Sequence, residues 1–451
     1  MSLLIIGFTI LFIVLSFLNL KKAIILTLIF LPSYLIRFEL LGLPLTILEL
    51  MILIILSVWL VKNWQKISQP KTWKAPLFWR EALLVIITAS LAVFVNFGST
   101  SLGIWKAYFL EPILFLFVLT STFKGKEDAK KIISALSVSA FFTALFAVYQ
   151  KISGDFISNP FWAAEETRRV VSWFSYPNAV GLFLAPLTMI AAGRFFTFPN
   201  KTTFRDSLKK LFYLAVIILS LLAAFFAHSE GALIAIMGSS WLFLFFTGKK
   251  PRYLAITLAV IGLVGIFSFS PIKNYATEKA TLMDLSGQIR RQQWTETWQM
   301  LNDGKLLTGA GLSGYQNAVK PFHQAGIFVK NDDPNWLRKV LWNKEYRDSV
   351  WQPVEIYFYP HNIILNFWSE VGFFGLLIFM WLIAKQLFLS FKSATKNKER
   401  DRFLTLGVGT AMTAIIIHGL VDVPYFKNDL AIIFWVIIAL TVILIKQNEK
   451  E

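Results

Sequence analysis

A long succession of apolar segments limits the folds that are open to this chain. They lie at about 3–19, 23–36, 44–61, 82–98, 104–122, 132–150, 178–193, 211–228, 231–247, 253–270, 372–391, 403–421 and 430–446. A helix needs roughly 17–25 mostly apolar residues to cross a bilayer. We therefore predict an all-α integral membrane protein with 12 or 13 transmembrane helices. The number stays open because segment 23–36 is short and ends in Pro32 and Arg37, which also suits a re-entrant path.

The composition agrees with a membrane location. Of the 451 residues, 56% are apolar and 16% are charged, whereas soluble domains average about 45–50% and about 25%. These values exclude a soluble multidomain enzyme, a disordered chain and a collagen-like fibre. Cysteine is absent, so the chain has no disulfide, no thiolate nucleophile and no cysteine-based metal site.

The net charge of +17 is explained by topology. Most Lys and Arg residues of the short loops fall in alternate loops, such as 62–80, 124–131 and 194–210, and few fall in the others. Because basic residues are retained on the cytoplasmic side, we predict that these loops and the C-terminus are cytoplasmic. The basic residues are spread over many loops instead of one stripe, which argues against nucleic acid as a partner.

Residues 271–360 form the one long loop, and the predicted topology places it on the extracytoplasmic side. The chain is thereby divided into an N-terminal transmembrane bundle (1–270), this loop (271–360) and the C-terminal transmembrane helices (361–451). The loop is rich in Trp and Tyr, which argues against disorder. We predict an amphipathic helix over 286–303 and a second short helix around 334–346.

All four histidines fall on the predicted extracytoplasmic side. His418 and Asp422 are four residues apart near the end of a late span, so on a helix they share a face. A catalytic metal is one interpretation of this pair, but the sequence has no His-Glu-x-x-His motif. The alternative is that Asp422 pairs with His418 or caps the span. We predict no metal and no cofactor.

Two arginine pairs on the same side, Arg168-Arg169 and Arg290-Arg291, suggest a phosphate site. The planar guanidinium donates two parallel hydrogen bonds to phosphate oxygens and stays charged. Lys106 is a further candidate cation on this side. The alternative is that these residues anchor the protein to lipid headgroups or are simply solvated. No glycine-rich nucleotide loop precedes a helix, which argues against a nucleotide donor.

Segment 359–375 contains the main catalytic candidate. Pro360 suits the start of a helix, so His361 is expected to project from the first helical turn at the membrane surface. With an unperturbed pKa of about 6.5, a histidine can act as a general base near neutral pH. A purely structural role for His361 is the alternative.

Four motifs occur in order between about residues 145 and 440. They are an Arg followed by Tyr-Pro-Asn (169–178), an Arg-x-x-x-Trp followed by Leu-x-Gly-x-Gly (290–311), a His-Asn followed by Glu-x-Gly-x-x-Gly (361–375), and a His-Gly-x-x-Asp (418–422). Together they resemble the O-antigen ligase and O-antigen polymerase-like superfamily of membrane glycosyltransferases. The order, spacing and shared sidedness of the motifs make the combination more specific than any one of them.

This resemblance implies a GT-C-like membrane fold and transfer of a glycan from a polyprenyl-diphosphate lipid to an acceptor hydroxyl outside the cytoplasm. The reaction would invert the anomeric carbon and would need no metal. His361 would be the general base, and Arg290 would stabilise the departing diphosphate. The further substrate-binding residues are predicted to be Arg168, Arg169, Arg291, Lys106, Asn178, Asn362, Glu370, His418 and Asp422.

One departure from the family pattern concerns the donor site. Where the family often has Ser-Arg-Gly, this chain has Ser-Glu-Gly at 229–231. The charge is reversed, so Arg169, Lys106 or Arg291 supplies the missing cation, or the substrate differs. The expected partners are membrane lipids, the lipid-linked donor and a glycan, lipid or protein acceptor, at the bacterial cytoplasmic membrane. A lipid-linked glycan flippase or other transporter is the alternative function, and ligase, polymerase and protein-glycosylating roles stay open.

Overall fold

The computed structural model describes residues 3–40, 42–67, 77–199, 203–331, 333–396 and 399–448. Most of the secondary structure in these ranges is α-helical. The helices are α1 (Leu3–Leu18), α2 (Leu20–Ile29), α3 (Ile47–Ile67), α4 (Trp79–Val95), α5 (Ser99–Ile104), α6 (Glu111–Thr122), α7 (Gly125–Ser153), α8 (Pro160–Ala163), α9 (Pro177–Thr197), α10 (Phe204–Phe226), α11 (Glu230–Thr247), α12 (Lys249–Ser268), α13 (Ser270–Ala280), α14 (Leu285–Met300), α15 (Tyr315–Val319), α16 (Trp336–Trp342), α17 (Lys344–Ser349), α18 (Ile363–Lys396), α19 (Arg402–Gly419) and α20 (Asn428–Asn448).

Shorter elements connect some of these helices. Two antiparallel hairpins pair β1 (Arg37–Leu40) with β2 (Leu43–Thr46) and β3 (Gly326–Phe328) with β4 (Trp351–Pro353). A π-helical segment, Trp105–Leu110, joins α5 to α6 so that the three run as one span.

Ten helices in the described ranges are long and apolar enough to cross a membrane. Two further apolar helices, α1 and α4, have 16 and 17 residues, which is at the short end of what a bilayer requires. The predicted fold class, an all-α polytopic membrane protein, is confirmed. The ten long helices together with α1 and α4 account for twelve of the predicted spans.

The remaining predicted span, 23–36, does not continue as one helix. α2 ends at Ile29 after 10 residues, and a 3-10 turn that contains Pro32 follows it. Proline lacks a backbone N–H group and is disfavoured in the interior of a helix. Hairpin β1–β2 then leads the chain into α3. Segment 23–36 is therefore a half-span, in agreement with a re-entrant path.

Contacts between loops divide the bundle into two faces. At one face Lys21 lies 2.5 Å from Asp128, and Lys126 lies 2.9 Å from Glu399. The long loop leaves the bundle at the other end, which we call the loop face; Lys427 lies there. The basic loops predicted to be cytoplasmic thus meet at the face opposite the loop face, while the sidedness itself stays a prediction.

Helices α9 and α19 form the centre of the bundle, and together with α20 they are buried along most of their length. Glycine allows α9 and α19 to approach closely. A Cβ atom on Gly193 would lie only 2.6 Å from the carbonyl oxygen of Phe403. By contrast, α12 is almost entirely exposed, which fits contact with lipid. The close packing of α9 and α19 fixes the two helices that carry Asn178 and His418.

The long loop is folded, as its aromatic content predicts. Helix α14 confirms a helix in the region predicted over 286–303, and it ends three residues earlier, at Met300. Helices α16 and α17 occupy the region predicted as helical around 334–346, with a break at Asn343.

The loop is also anchored within the bundle, at an interruption of α18. Gly372 has a φ of 82°, a left-handed conformation that favours glycine. Next to this break the amide of Phe373 donates to the carbonyl of Leu307 at 3.0 Å, and the amide of Ala310 donates to the carbonyl of Ser369 at 2.6 Å. The loop is therefore fixed to α18 by main-chain hydrogen bonds.

Candidate active site

A polar cavity of about 290 Å³ lies at the loop face. Helices α9, α11, α13, α14 and α19 contribute to its walls, together with the turns that follow α10 and α19. Its charged lining residues, apart from the histidines, are Arg169, Glu230, Lys279, Asp284, Arg290 and Asp422. Cations and carboxylates from distant parts of the sequence meet here, so the cavity suits a charged or strongly polar ligand.

Arg169 begins a chain of hydrogen bonds across the cavity. Its Nε donates to the carbonyl of Ala227 at 3.0 Å, and a terminal nitrogen donates to Oδ1 of Asn178 at 3.2 Å. Asn178 donates in turn to Asp422 at 3.3 Å. Burial lowers the pKa of the Arg169 guanidinium, and the nearby carboxylate of Glu230 opposes this effect. Three residues that the sequence predicts to bind substrate are thus in contact.

Arg290 approaches the same cavity from the long loop. Its Nε donates to the carbonyl of Val421 at 3.0 Å, and a terminal nitrogen donates to the hydroxyl of Ser286 at 2.8 Å. These two bonds fix the direction of the planar group. Because a guanidinium has five N–H donors, further donors are available for a ligand.

The reversed charge at Glu230 has a partner in the loop. The Nζ atom of Lys279 lies 2.7 Å from Glu230 and 2.9 Å from Asp284, and the hydroxyl of Tyr275 donates to Glu230 at 3.1 Å. Although burial opposes the charged form, hydrogen bonds to both carboxylates raise the pKa of Lys279 to about 12. Lys279 therefore places a cation at this position, which no sequence motif indicates.

His361 lies beside this cavity and does not belong to its lining. Its Nδ1 lies 3.1 Å from Oε1 of Gln293. An amide oxygen only accepts hydrogen bonds, so this contact fits the tautomer with the proton on Nδ1 and the lone pair on Nε2. Burial lowers the pKa of His361; the carboxylate of Asp422 opposes this effect and Arg290 adds to it. The neutral, basic form of the imidazole is therefore favoured.

The backbone around His361 differs from the expected first helical turn. Helix α18 begins at Ile363, and His361 precedes it with a φ of 46°. Oδ1 of Asn362 accepts from two amides of the first turn, at 2.9 and 3.1 Å, as N-cap residues do. The predicted position of His361 in the helix is therefore wrong, because α18 starts after its capping residue Asn362 and not at Pro360.

His418 and Asp422 do not share a helix face. Helix α19 ends at Gly419, and Asp422 lies in the turn beyond it, where Oδ1 accepts the amide of Val423 at 2.8 Å. The helical spacing predicted for the pair is wrong because the chain leaves the helix between them. Both residues nevertheless line the cavity. Nδ1 of His418 is buried and has no hydrogen-bond partner among the described residues.

Several predicted substrate-binding residues lie outside the lining of the cavity. They are Arg168, Lys106, Arg291, Asn362 and Glu370. The guanidinium of Arg168 donates to the carbonyls of Ala163 and Lys151, at 3.4 and 3.1 Å. Arg291 is exposed on the surface of α14. Arg168 thus holds the segment that follows α7, and Arg291 faces solvent beside Arg290.

The other three have structural contacts of their own. Lys106 lies 2.9 Å from Glu49, in a separate charge cluster. Glu370 is buried and accepts the amide of Ser313 at 2.6 Å, which fixes the anchored part of the loop. Asn362 caps α18, as described above. Functional roles for these residues stay predictions.

One face of α14 organises the site. Arg290, Gln293 and Trp294 are three and four residues apart and therefore lie on one side of the helix. Gln293 contacts His361, and Nε1 of Trp294 donates to the carbonyl of Pro360 at 2.8 Å. The motif analysis missed Gln293. Its helical spacing from Arg290 is the signal that could have identified it.

Lys427 is a third feature that no motif indicates, after Lys279 and Gln293. Its Nζ lies 4.7 Å from the ring centroid of Phe174 and 5.3 Å from that of Tyr176. Burial lowers the pKa of Lys427, and nearby carboxylates oppose this effect. The hydroxyl of Tyr176 lies 3.3 Å from that of Tyr359, whose ring centroid lies 5.0 Å from that of His361. Contacts between tyrosine side chains thus connect a half-buried cation to the candidate base.

The acidic and histidine side chains do not form a dense cluster. Within the described ranges, no group of three or more His, Asp and Glu residues is close enough to hold a metal ion. The carboxylates of Glu230 and Asp284 share the ammonium of Lys279. The absence of a metal and a cofactor from the reaction stays a prediction.

The long apolar helices and the polar cavity beneath a folded loop define a polytopic membrane protein with a candidate site at one membrane face. A family model described as O-Antigen ligase matches residues 215–380, which include Glu230, Arg290 and His361. This match confirms the resemblance to the O-antigen ligase-like superfamily. The motifs at Arg169 and His418 lie outside the matched residues. A search of curated proteins found no match to the chain.

Proposed function

We propose that the protein transfers a glycan from a polyprenyl-diphosphate lipid to the hydroxyl group of an acceptor, in the manner of an O-antigen ligase or polymerase. The match to the O-antigen ligase family model supports this class of reaction. The observation that carries the proposal is the approach of Arg169 and Arg290 to one cavity, with His361 beside it. Cations for a diphosphate and a general base are thus neighbours.

The two arginines are suited to the diphosphate of the donor. Lys279 is already held between two carboxylates, so Arg169 and Arg290 are the cations best able to respond to added negative charge. Each is oriented by a backbone carbonyl through its Nε and has further N–H donors. When the bond between sugar and diphosphate breaks, preorganised donors of this kind stabilise the charge that develops on the departing oxygen.

His361 takes the proton of the acceptor hydroxyl in this scheme. The hydroxyl oxygen attacks the anomeric carbon on the side opposite the diphosphate, and its proton passes to Nε2 of His361. The bond between the anomeric carbon and the diphosphate breaks, and polyprenyl diphosphate leaves with the bonding electron pair. This single displacement inverts the anomeric carbon, and the arginines supply the positive charge that a metal ion would otherwise provide.

We place the reaction on the extracytoplasmic side of the bacterial cytoplasmic membrane. The support is the gathering of basic loops at the face opposite the loop face, because such loops are retained in the cytoplasm. The lipid tail of the donor remains in the bilayer beside the helices while its diphosphate enters the cavity. A lipid, a growing glycan or a protein can each present the acceptor hydroxyl.

Mass spectrometry of surface glycans and lipid-linked intermediates, in cells with and without the gene, tests this proposal. Without a transferase the surface glycan should be lost, and the lipid-linked donor should accumulate where an external probe can reach it. Loss of a flippase would instead trap the donor inside. Expression of the wild type or of Arg291→Ala should restore the glycan, whereas His361→Ala should not. Unchanged surface glycans, or a donor trapped inside, would contradict the proposal.

A further inference from the structure

A second cavity, of about 440 Å³, lies at the face opposite the loop face. It is formed where α9 ends, where α10 begins and where α19 begins. Its walls combine cations with aromatic rings. The cations are Lys210, Arg400 and Arg402, and the rings are those of Phe195, Phe196, Phe198 and Phe403.

The three cations are held in place without being neutralised. Arg400 donates to the carbonyl of Phe198 at 2.7 Å, and Arg402 donates to the carbonyl of Thr247. The Nζ atom of Lys210 lies 5.4 Å from the centroid of a phenylalanine ring. In the part of the chain that the structure describes, none of the three forms an ion pair, and no acidic side chain lines the cavity.

The acidic residues near these cations in the sequence are directed elsewhere. Asp206, four residues before Lys210, lies 2.9 Å from Lys209, and Glu399, next to Arg400, lies 2.9 Å from Lys126. Asp401, which separates the two arginines, lies 3.3 Å from Lys130 and 3.9 Å from Lys126. The carbonyl contacts leave each arginine with several of its five N–H donors. The cavity therefore presents positive charge that an anionic ligand can balance, and phosphate oxygens are the acceptors that guanidinium groups match best.

An exposed apolar surface continues from this cavity along α10. Leu214, Ile218, Leu221 and Phe225 lie on the same side of the helix as Lys210. Their exposed fractions range from 37% to 61%. On a membrane-spanning helix this surface contacts acyl chains. A ligand with a phosphate headgroup and an acyl chain would match both the cations and the apolar surface of α10.

We propose that this cavity binds the phosphate headgroup of an anionic phospholipid from the adjacent leaflet, with an acyl chain along α10. Basic pockets between transmembrane helices at a membrane surface are a recurring way to bind anionic headgroups. A free phosphate ion would balance the charge of the cations but would make no contact with the apolar surface of α10. The site lies at the opposite face from the candidate active site, and its assignment does not depend on the proposed function.

Native mass spectrometry of the detergent-solubilised protein tests this site. The probes are phosphatidylglycerol and phosphatidylcholine with identical acyl chains. We expect the wild type to retain one phosphatidylglycerol in preference to phosphatidylcholine. The double variant Lys210→Gln/Arg400→Gln should bind phosphatidylglycerol about 25-fold more weakly, since each cation near a membrane surface contributes roughly fivefold.

The matched control is Lys22→Gln/Arg80→Gln. These residues are exposed at the same face and lie outside the cavity lining, so this variant loses the same charge and should bind like the wild type. The single variant Lys210→Gln separates loss of binding from misfolding. It keeps the hydrogen bonds that the arginines donate to carbonyl groups, so its melting temperature without lipid should match the wild type.

Three results would overturn the assignment. The first is equal affinity of the wild type for the two lipids. The second is unchanged phosphatidylglycerol binding by the folded Lys210→Gln and double variants. The third is complete displacement of the lipid by millimolar inorganic phosphate, which would reduce the site to an anion site that does not recognise acyl chains.

Discussion

Replacing Arg290 by lysine keeps the positive charge at the cavity and removes the planar two-point donor. In the structure, Nε of Arg290 donates to Val421 at 3.0 Å while a terminal nitrogen donates to Ser286 at 2.8 Å. A lysine ammonium on a flexible stem cannot make both bonds and also present further donors in a fixed direction. The variant therefore separates the presence of charge from its orientation.

The expected loss of transfer is large. Removing one preorganised donor from a developing oxyanion costs about 10²–10³ in rate, or about 2.7–4 kcal/mol. We expect kcat/KM of Arg290→Lys to fall by about this factor. The hydrogen bonds lost to Ser286 within α14 and to Val421 beyond α19 should reduce the free energy of unfolding by about 1–3 kcal/mol, so the protein should still fold and insert.

Initial rates of glycan transfer, measured on purified protein in lipid nanodiscs with a labelled lipid-linked donor, check this prediction. Arg291→Lys is the matched control because Arg291 is adjacent and exposed. Melting temperatures of both variants separate loss of fold from loss of function. A wild-type rate for Arg290→Lys would refute its role as a two-point diphosphate ligand. An equal loss in Arg291→Lys would show that the surface of α14, and not this side chain, matters.

Further predictions concern the base and the topology. His361→Gln should still retain donor in a co-purification assay and fail to transfer it, since an amide does not accept the proton. Because burial lowers the pKa of His361, the active neutral form persists below the ordinary value of about 6.5, so the rate should decline only at lower pH. Gln293 orients the imidazole of His361, so Gln293→Leu should lower kcat about three- to tenfold and leave KM unchanged. Lys330→Cys, at an exposed loop position, should react with an impermeant thiol reagent on intact spheroplasts, and reaction only after lysis would reverse the topology. EDTA should not alter the transfer rate, and loss that a divalent ion restores would indicate a metal.

The spans could be predicted from sequence because a bilayer imposes a length and a polarity on each helix. The half-span at 23–36 was foreseeable from Pro32, because proline disfavours continuation of a helix by local sterics. The break of α18 at Gly372 could not be predicted from the sequence. It depends on hydrogen bonds with Leu307, which lies in another part of the chain, and no local pattern encodes such a long-range contact.

The same distinction applies to the candidate site. The sequence could identify three residues of the cavity, Arg169, Asn178 and Arg290. The membrane confines polar groups to its faces, and the predicted topology assigns these three to the same face. The pairing of Lys279 with Glu230 and of Gln293 with His361 depends on how α13 and α14 dock on the bundle. The turn at Asp422 was not predicted because the four-residue spacing of His418 and Asp422 indicates a shared face only where the helix continues.

The hydrogen bond from Arg290 to the carbonyl of Val421 has a consequence for biosynthesis. Chains are made from the N-terminus and fold as they emerge, so α14 is made well before its partner is synthesised. A ribosome that stops after α18 would release a chain with Arg290 and His361 but without the turn that holds Arg290. Such a chain would insert most of its helices and assemble no cavity. Completion of the site must therefore wait for one of the last loops to be made.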